Sequence, residues 1–298
     1  MSQIPIADAV PPALVERLTH PAILEQLLAG LDARLVPTDR LGLHRRASLL
    51  RGLGRQAEAT ATYRALLALD PGDLAAKAGM AILVGEPLPA DASGPAPFVH
   101  LHNMLSAEQQ QDLWRVLEEQ KAGLQPAGVY EGGAIPRVDE AKRIAQRLDQ
   151  AGMVRAWFLP WLEDLMARTD ILPRLGLAGF AVGRRELQVT GHGHGGFFNI
   201  HKDASADPAS PSWARHVTFI YYFHREPRRF TGGDLLLFDA SGKVQSGGDD
   251  FSFTRIDPTH NSLVFFESNR FHTVTRIDCP SADLLDGRWT VNGWLHRN

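Results

Sequence analysis

The sequence predicts an α+β protein whose helices come first and whose strands come last. Three observations carry this reading. Up to about residue 90, Ala, Leu, Arg and Glu recur at helical spacing. From Gly179 onward, short β-rich runs alternate with breaks rich in Gly, Pro and Asp. Helices precede the strands instead of alternating with them, which argues against a doubly wound sheet and for a sandwich or small barrel.

Residues 10–38, "ALVERLTHPAILEQLLAGLDARL", read as a helical stretch that is a degenerate partner of the clearer unit following it. Between 40 and 85 the pattern sharpens. Ala47, Leu50 and Leu53 fall on one helical face and Gly54 breaks that helix. Ala57, Ala61 and Tyr63 to Leu69 belong to a second helix, ended by Asp70-Pro71-Gly72, and Asp73 to Val84 make a third. The run "ASLLRGLGRQAEATATYRALLALDP", through Ala47, Leu50, Gly54, Ala59, Tyr63 and Pro71, resembles a tetratricopeptide repeat, whose period is about 34 residues. Leu66 departs from the small residue that such a repeat carries near the end of its second helix. The alternative is a plain helical bundle packed on the rest of the chain. A single repeat cannot bury both its faces, so it should dock on neighbouring helices or on a partner.

Pro87, Pro89, Gly94, Pro95 and Pro97 mark residues 86–97 as a linker, and divide the chain into a helical region (1–85) and a second domain (98–298). That domain opens with a strand, "FVHLHNML", and a helix, "SAEQQQDLWRVLEEQ", with Ser106 as N-cap and Gln109 completing a capping box. Gly123 to Val138 read as a glycine-containing loop and residues 138–169 as helix interrupted by Pro160. Strands are expected at 185–190, 217–223, 234–238, 262–266, 273–277 and 289–296.

Composition narrows the function classes. A net charge of -3 supplies no bulk reason to bind nucleic acid or an anionic membrane, and neither is expected as a partner. The single Cys279 excludes a disulfide within the chain and fits a reducing compartment. No basic leader opens the sequence and no run of about 18 apolar residues occurs. A cytoplasmic location is the resulting expectation.

The chemistry concentrates in "LQVTGHGHGGFFNIHKDASAD". His201 and Asp203 are two residues apart, a spacing that on an extended strand aims both side chains to one face. His272 begins a later strand in "VFFESNRFHTVTRI". Two histidines and one carboxylate form the facial triad that holds Fe(II) and leaves coordination positions open. His-x-Asp alone is weak in a chain with 12 histidines; its order relative to "GGDLLLFD", "LVFFES" and "GRWTVNGW" makes it specific. In the last motif Arg288 and Thr290 share a strand face, a guanidinium and a hydroxyl suited to one carboxylate.

Together these motifs resemble the prolyl 4-hydroxylase-like branch of the 2-oxoglutarate/Fe(II)-dependent dioxygenases, over residues 98–298 and most closely from Leu187 onward. The resemblance implies a double-stranded β-helix, or jelly-roll, with supporting helices. It implies His201, Asp203 and His272 as iron ligands, Arg288 as anchor of the distal carboxylate of 2-oxoglutarate, Thr290 as its hydroxyl helper, and Gly195 as a turn glycine before the first ligand strand. His192 departs from the pattern, standing where these enzymes often carry a tyrosine that hydrogen-bonds the co-substrate. The implied cofactors are Fe(II), 2-oxoglutarate and O₂, with ascorbate as a stimulant. The implied reaction couples oxidative decarboxylation to succinate and CO₂ with hydroxylation of a C–H bond; halogenation is disfavoured because Asp203 fills the site that a halide needs.

A peptide or protein side chain is the expected acceptor, since helical-repeat units often present a groove to a peptide, and the loop from Gly123 to Arg143, with Tyr130, Gly132, Gly133, Arg137, Lys142 and Arg143, is placed to close over it. The alternatives are a free amino acid or small metabolite as substrate, a cupin-like β-helix with a non-redox metal, and a non-catalytic peptide adaptor. At residue level, His260 and His216 compete with His272 as third ligand, and Arg276 competes with Arg288. His192 and His194, flanked by glycines, have a bland reading as solvated loop residues.

Overall fold

The computed structural model describes residues 12–129, 137–148, 151–239 and 251–298. Its first helices are α1 (Pro12–Leu18), α2 (Pro21–Asp32), α3 (Arg40–Gly52), α4 (Gln56–Leu69) and α5 (Leu74–Val84). Asp39 accepts from the Gly42 amide at the start of α3, and Asp73 from the Ala76 amide at the start of α5. Gly54, at φ 75, takes the left-handed conformation that ends the α3 turn. Ala47 and Leu50 of α3 are fully buried, as their spacing predicts: Ala47 clusters with Tyr63 and Leu66 of α4 and Ala76 of α5, and Leu50 with Ala59 of α4 and Leu28 of α2.

The rest of the chain contributes β1 (Phe98–His102), α6 (Ala107–Gln120), β2 (Leu124–Pro126), β3 (Arg143–Ile144), β4 (Gln146–Leu148), α7 (Gly152–Ala167) and α8 (Ile171–Arg174). There follow β5 (Val182–His192), β6 (Phe197–His201), β7 (Arg215–Phe223), β8 (Leu235–Phe238), β9 (Phe253–Ile256), β10 (Ser262–Glu267), β11 (His272–Val274) and β12 (Arg288–Arg297). The capping box expected at α6 is present in both directions between Ser106 and Gln109. The helix expected over 138–169 is shorter than the sequence predicts. Residues 143–148 are strands, because Arg143 pairs with Phe198 and Gln146 and Arg147 pair with Gly191 and Thr190. Sheet pairing outweighs the helix propensity of "EAKRIAQRLDQ" there. Pro160 lies within the uninterrupted α7. Tyr130, Gly132 and Gly133 fall outside the described residues.

Two antiparallel sheets form a jelly-roll-like fold. The larger runs β1-β10-β7-β12-β5-β4-β2 and the smaller β3-β6-β11-β8-β9. Period-two alternation along the strands sorts the core into layers. Phe219, Tyr221 and Phe223 of β7 face α6 and α7, where Leu113 and Phe158 meet them. Ile220 and Tyr222, one residue out of phase, join Leu235, Leu237, Val264 and Phe266 between the sheets. Leu236 and Phe238 face outward from the smaller sheet and are covered by Val15 of α1 and Leu24 of α2.

The first helices therefore sit on the sheet and close its β9 edge, where Arg255 donates to the Gly52 carbonyl at 2.9 Å. Beside that seam, Arg51 donates to both carboxylate oxygens of Asp239, at 3.0 and 2.6 Å, and to Thr254. Residues 86–97 form no regular element, but Ala96 is buried and its amide donates to the same Asp239. Among the described residues, no helix is long and apolar enough to cross a membrane.

Candidate metal and co-substrate site

At one end of the space between the sheets, a narrow cavity is lined by His201 and Phe198 of β6, His272 of β11, Arg288, Thr290, Asn292 and Trp294 of β12, Thr190 and His192 of β5, Thr218 of β7, Arg143 of β3, and Asp203. His201 is the last residue of β6, and Asp203 lies just past the strand end. Its position is set by Ser268, whose carbonyl accepts from the Asp203 amide at 3.0 Å. The pairing of β6 with β11 carries a register shift: His272 is opposite His201, but Val274 is opposite Phe198. That irregularity turns Phe198 and His201 to one side, with ring centroids 3.5 Å apart. Before β6, Gly195 holds a left-handed turn at φ 74.

Three donor atoms converge. The Nδ1 of His201 donates to the Asn199 carbonyl at 2.7 Å, and the Nδ1 of His272 to the Arg270 carbonyl at 3.0 Å, which leaves each Nε2 to face the cavity. The His201 Nε2 lies 3.7 Å from Asp203 Oδ1 and the His272 Nε2 lies 3.5 Å from Oδ2. One donor atom from each of the three residues falls within 4.8 Å of the others. Burial, then the proximity of His272, pushes the His201 pKa down to about 3, so the ring is a neutral nitrogen donor. Burial raises the Asp203 pKa, but His272, His201 and the Thr218 hydroxyl, which donates at 2.8 Å, outweigh it, and the pKa is lowered overall. Two imidazoles, each with its Nδ1 engaged by a backbone carbonyl, and one carboxylate held by Thr218 fit a divalent iron with open positions.

Arg288 begins β12 opposite His192. Its Nη1 donates to His192 Nδ1 at 3.3 Å, and its guanidinium lies 4.8 Å from the centre of the Tyr222 ring. Burial lowers the pKa of Arg288. Burial, then the charge of Arg288, holds His192 neutral, well below the usual histidine value. With Nδ1 accepting, the Nε2 of His192 carries the proton and has no partner; the Nε of Arg288 has none either. Unpaired buried donors are rare in folded proteins and mark a place for an acceptor. His192 is thus a buried strand residue facing the cavity, not a solvated loop residue, whereas His194 is exposed and 3.2 Å from Asp278. Thr290 is tied into a network, its hydroxyl 2.8 Å from that of Thr190 and 3.3 Å from Asn292 Oδ1.

The rival residues lie elsewhere. His260 accepts from the His224 amide through Nδ1 and reaches Gln110 through Nε2; with His224 and Glu226 it forms a second group of potential ligand atoms, but both its nitrogens are already engaged. His216 stacks on Phe180. Arg276 donates to the Gly195 carbonyl and lies over Phe197, in a groove beside α1 on the other side of the smaller sheet. Thr190, Thr218, Asn292 and Trp294 were not singled out by the sequence; the alternation along β5, β7 and β12 places them on the cavity face, but only the pairing of those strands shows which face that is.

Residues 187–296 match the family model described as the 2OG-Fe(II) oxygenase superfamily. An uncharacterised PKHD-type hydroxylase of Synechocystis sp. is 37% identical over 128 residues, which is 43% of this chain and 41% of that protein. The match thus spans less than half of the relative. Among solved structures, the chain is similar to a Pseudomonas putida prolyl-4-hydroxylase, at 19% identity and a TM-score of 0.47, over 68% of this chain and 94% of the other. It is also similar to a Trichoplax adhaerens prolyl hydroxylase in complex with a hypoxia inducible factor oxygen degradation domain peptide fragment, at 17% identity and a TM-score of 0.48, over 68% and 84%. The stretch that carries His192, His201, Asp203, His272, Arg288 and Thr290 is a 2OG-Fe(II) oxygenase domain.

Proposed function

We propose that this chain is an Fe(II)- and 2-oxoglutarate-dependent dioxygenase that hydroxylates an unactivated C–H bond and releases succinate and CO₂. One observation carries the reading: three metal-donor atoms and a buried guanidinium with no carboxylate partner among the described residues share one cavity. His201, Asp203 and His272 hold the iron. Arg288 receives the distal carboxylate of 2-oxoglutarate, with the Nε2–H of His192 as a second donor and the Thr190, Thr290 and Asn292 network beside it. The iron and co-substrate supply O₂ activation and the hydroxylating chemistry. The protein orients the ligands through the Asn199 and Arg270 carbonyls, holds both imidazoles for coordination, and excludes water from the buried pocket.

We assign the oxygenase to residues 98–298 and treat 1–85 as a helical region docked on it. A peptide or protein side chain is the acceptor if that region recruits substrate. One feature favours the small-substrate alternative: the inner faces of α1 to α3 are already used against the smaller sheet. The test is aerobic incubation with Fe(II), 2-oxoglutarate and ascorbate against panels of peptides and free amino acids. Succinate is followed by NMR and a gain of one oxygen by mass spectrometry. If wild-type protein neither bound 2-oxoglutarate in a metal-dependent way nor formed succinate with any panel, the proposal would be wrong.

A further inference from the structure

Arg143 stands out among the lining residues as a second cation for which the reaction leaves no use. It is half-buried as a residue but its guanidinium is enclosed: the Nε is inaccessible and has no hydrogen-bond partner. Its described contacts are one bond to the Gly128 carbonyl at 3.2 Å and the face of Phe198, 4.7 Å from the guanidinium carbon. The same Phe198 stacks on His201, so Arg143 lies one ring away from a ligand imidazole.

The charges of the cavity make its purpose specific. Asp203 is the one carboxylate among the described lining residues, facing two cations, Arg143 and Arg288. When iron and 2-oxoglutarate bind, Asp203 and the proximal carboxylate of the co-substrate balance the two charges of Fe(II). The distal carboxylate balances Arg288. Among the described residues Arg143 is left over, enclosed and without an anion, a state that costs free energy unless a further anion arrives. Burial already pushes its pKa down to about 10, and proximity to Asp203 only partly offsets this. Arginine remains protonated at neutral pH under that shift, so the demand for an anion persists.

We infer that Arg143 is a specificity-determining residue that receives a carboxylate of the acceptor substrate, so that the enzyme selects molecules carrying a carboxylate within a few bonds of the hydroxylated carbon. The inference rests on the proposed dioxygenase reading. The carboxylate has two sources, a free amino or other organic acid and the C-terminal or acidic residue of a peptide; both present the same planar oxygen pair to the guanidinium.

The experiment uses the full-length protein loaded with Mn(II), which occupies an iron site without turnover, and saturating 2-oxoglutarate. N-acetylglycine and N-acetylglycinamide, equal in shape but not in charge, are titrated at matched ionic strength by calorimetry. A glycyl tripeptide with free and amidated C-termini forms a second arm. The expected result is a preference of about tenfold or more for the carboxylate form. R143M should abolish it while leaving the affinity for 2-oxoglutarate within about twofold and the melting temperature of the unloaded protein unchanged or higher. R143K, which keeps the charge but not the fork, should retain part of the preference. Binding of the free acid alone identifies a small acid as the source, and binding of the tripeptide acid identifies a peptide end. Equal binding of acid and amide, or no binding of either acid, overturns the inference. So does an R143M protein whose 2-oxoglutarate affinity falls as far as that of R288M, since Arg143 would then serve the co-substrate. Failure of wild-type protein to bind 2-oxoglutarate at all would remove the dioxygenase reading and this inference with it; failure of the carboxylate arms alone would remove only the latter.

Discussion

Arg51 and Arg288 are buried to the same degree and live in opposite circumstances. Arg51, on the seam between α3 and the smaller sheet, has a bidentate carboxylate in Asp239 and a hydroxyl in Thr254. Burial disfavours its charge, yet Asp239 more than compensates and its pKa is raised. Arg288, in the cavity, has an imidazole and an aromatic face but no carboxylate, and its pKa is lowered. Arg143, beside it, is in the same state. The same side chain thus serves as a fastener where the fold supplies its counter-charge and as a receptor where the fold withholds it. The seam holds its own counter-charge; among the described residues, the two guanidiniums of the cavity have no carboxylate within ion-pair distance.

The contrast can be broken most severely at the metal ligands. H201A, D203A and H272A should each abolish Mn(II) binding by calorimetry while the metal-free protein melts within a few degrees of wild type. Metal binding retained in H272A but lost in H260A or H216A would reassign the third ligand.

The second prediction sets the two arginines against each other. R51M should cost about 3–5 kcal/mol of stability, because it strands a buried Asp239, and D239N in the same chain should recover part of it. Deleting residues 1–90 should be worse still, since it also uncovers Leu236, Phe238 and Phe253; a cooperative melt of that fragment at the wild-type temperature would show that the helices are dispensable. R288M, by the same thermal melts, should be neutral or stabilising. Its cost should appear in 2-oxoglutarate binding, at about 2–5 kcal/mol. Equal destabilisation by R51M and R288M would erase the distinction. A finer probe is T290V, expected to weaken 2-oxoglutarate binding by about 1 kcal/mol, the worth of one neutral hydrogen bond, since the Thr190 and Asn292 partners remain.

The mildest effect is acid sensitivity of the seam. His100 of β1 lines a pocket with Leu53 and Gly54, and burial, then His102, pushes its pKa down to about 4. In the unfolded chain it takes up its proton near about 6.5. A histidine whose folded value is depressed adds stability that is fully present above the unfolded value and lost as pH falls from there toward 4. H100Q should flatten that part of the stability profile in urea titrations, and an unaltered slope would assign it to other groups.

Much of this was legible from residue order. Ala47, Leu50 and Gly54 announce α3 and its end, and Ser106 with Gln109 announces α6, because caps and helical faces are local. Seven of the strands also stand out by composition. Residues 143–148 do not. Their helix-forming composition is overridden by partners about fifty residues away, and no local rule anticipates such a contact.

The sequence by itself determined the order of helices and strands, and it singled out His201, Asp203, His272, Arg288 and Thr290 as candidates, since their motifs are short and chemically distinct. Only the tertiary structure decided that Asp203 stands past the end of β6 under the hold of Ser268. It also decided that His192 is buried against Arg288, that Arg143 enters the same cavity, and that Arg51 finds Asp239 188 residues away. An arginine's type is written in the chain, but whether it is paired depends on which distant carboxylates the fold brings near, and that is a property of packing.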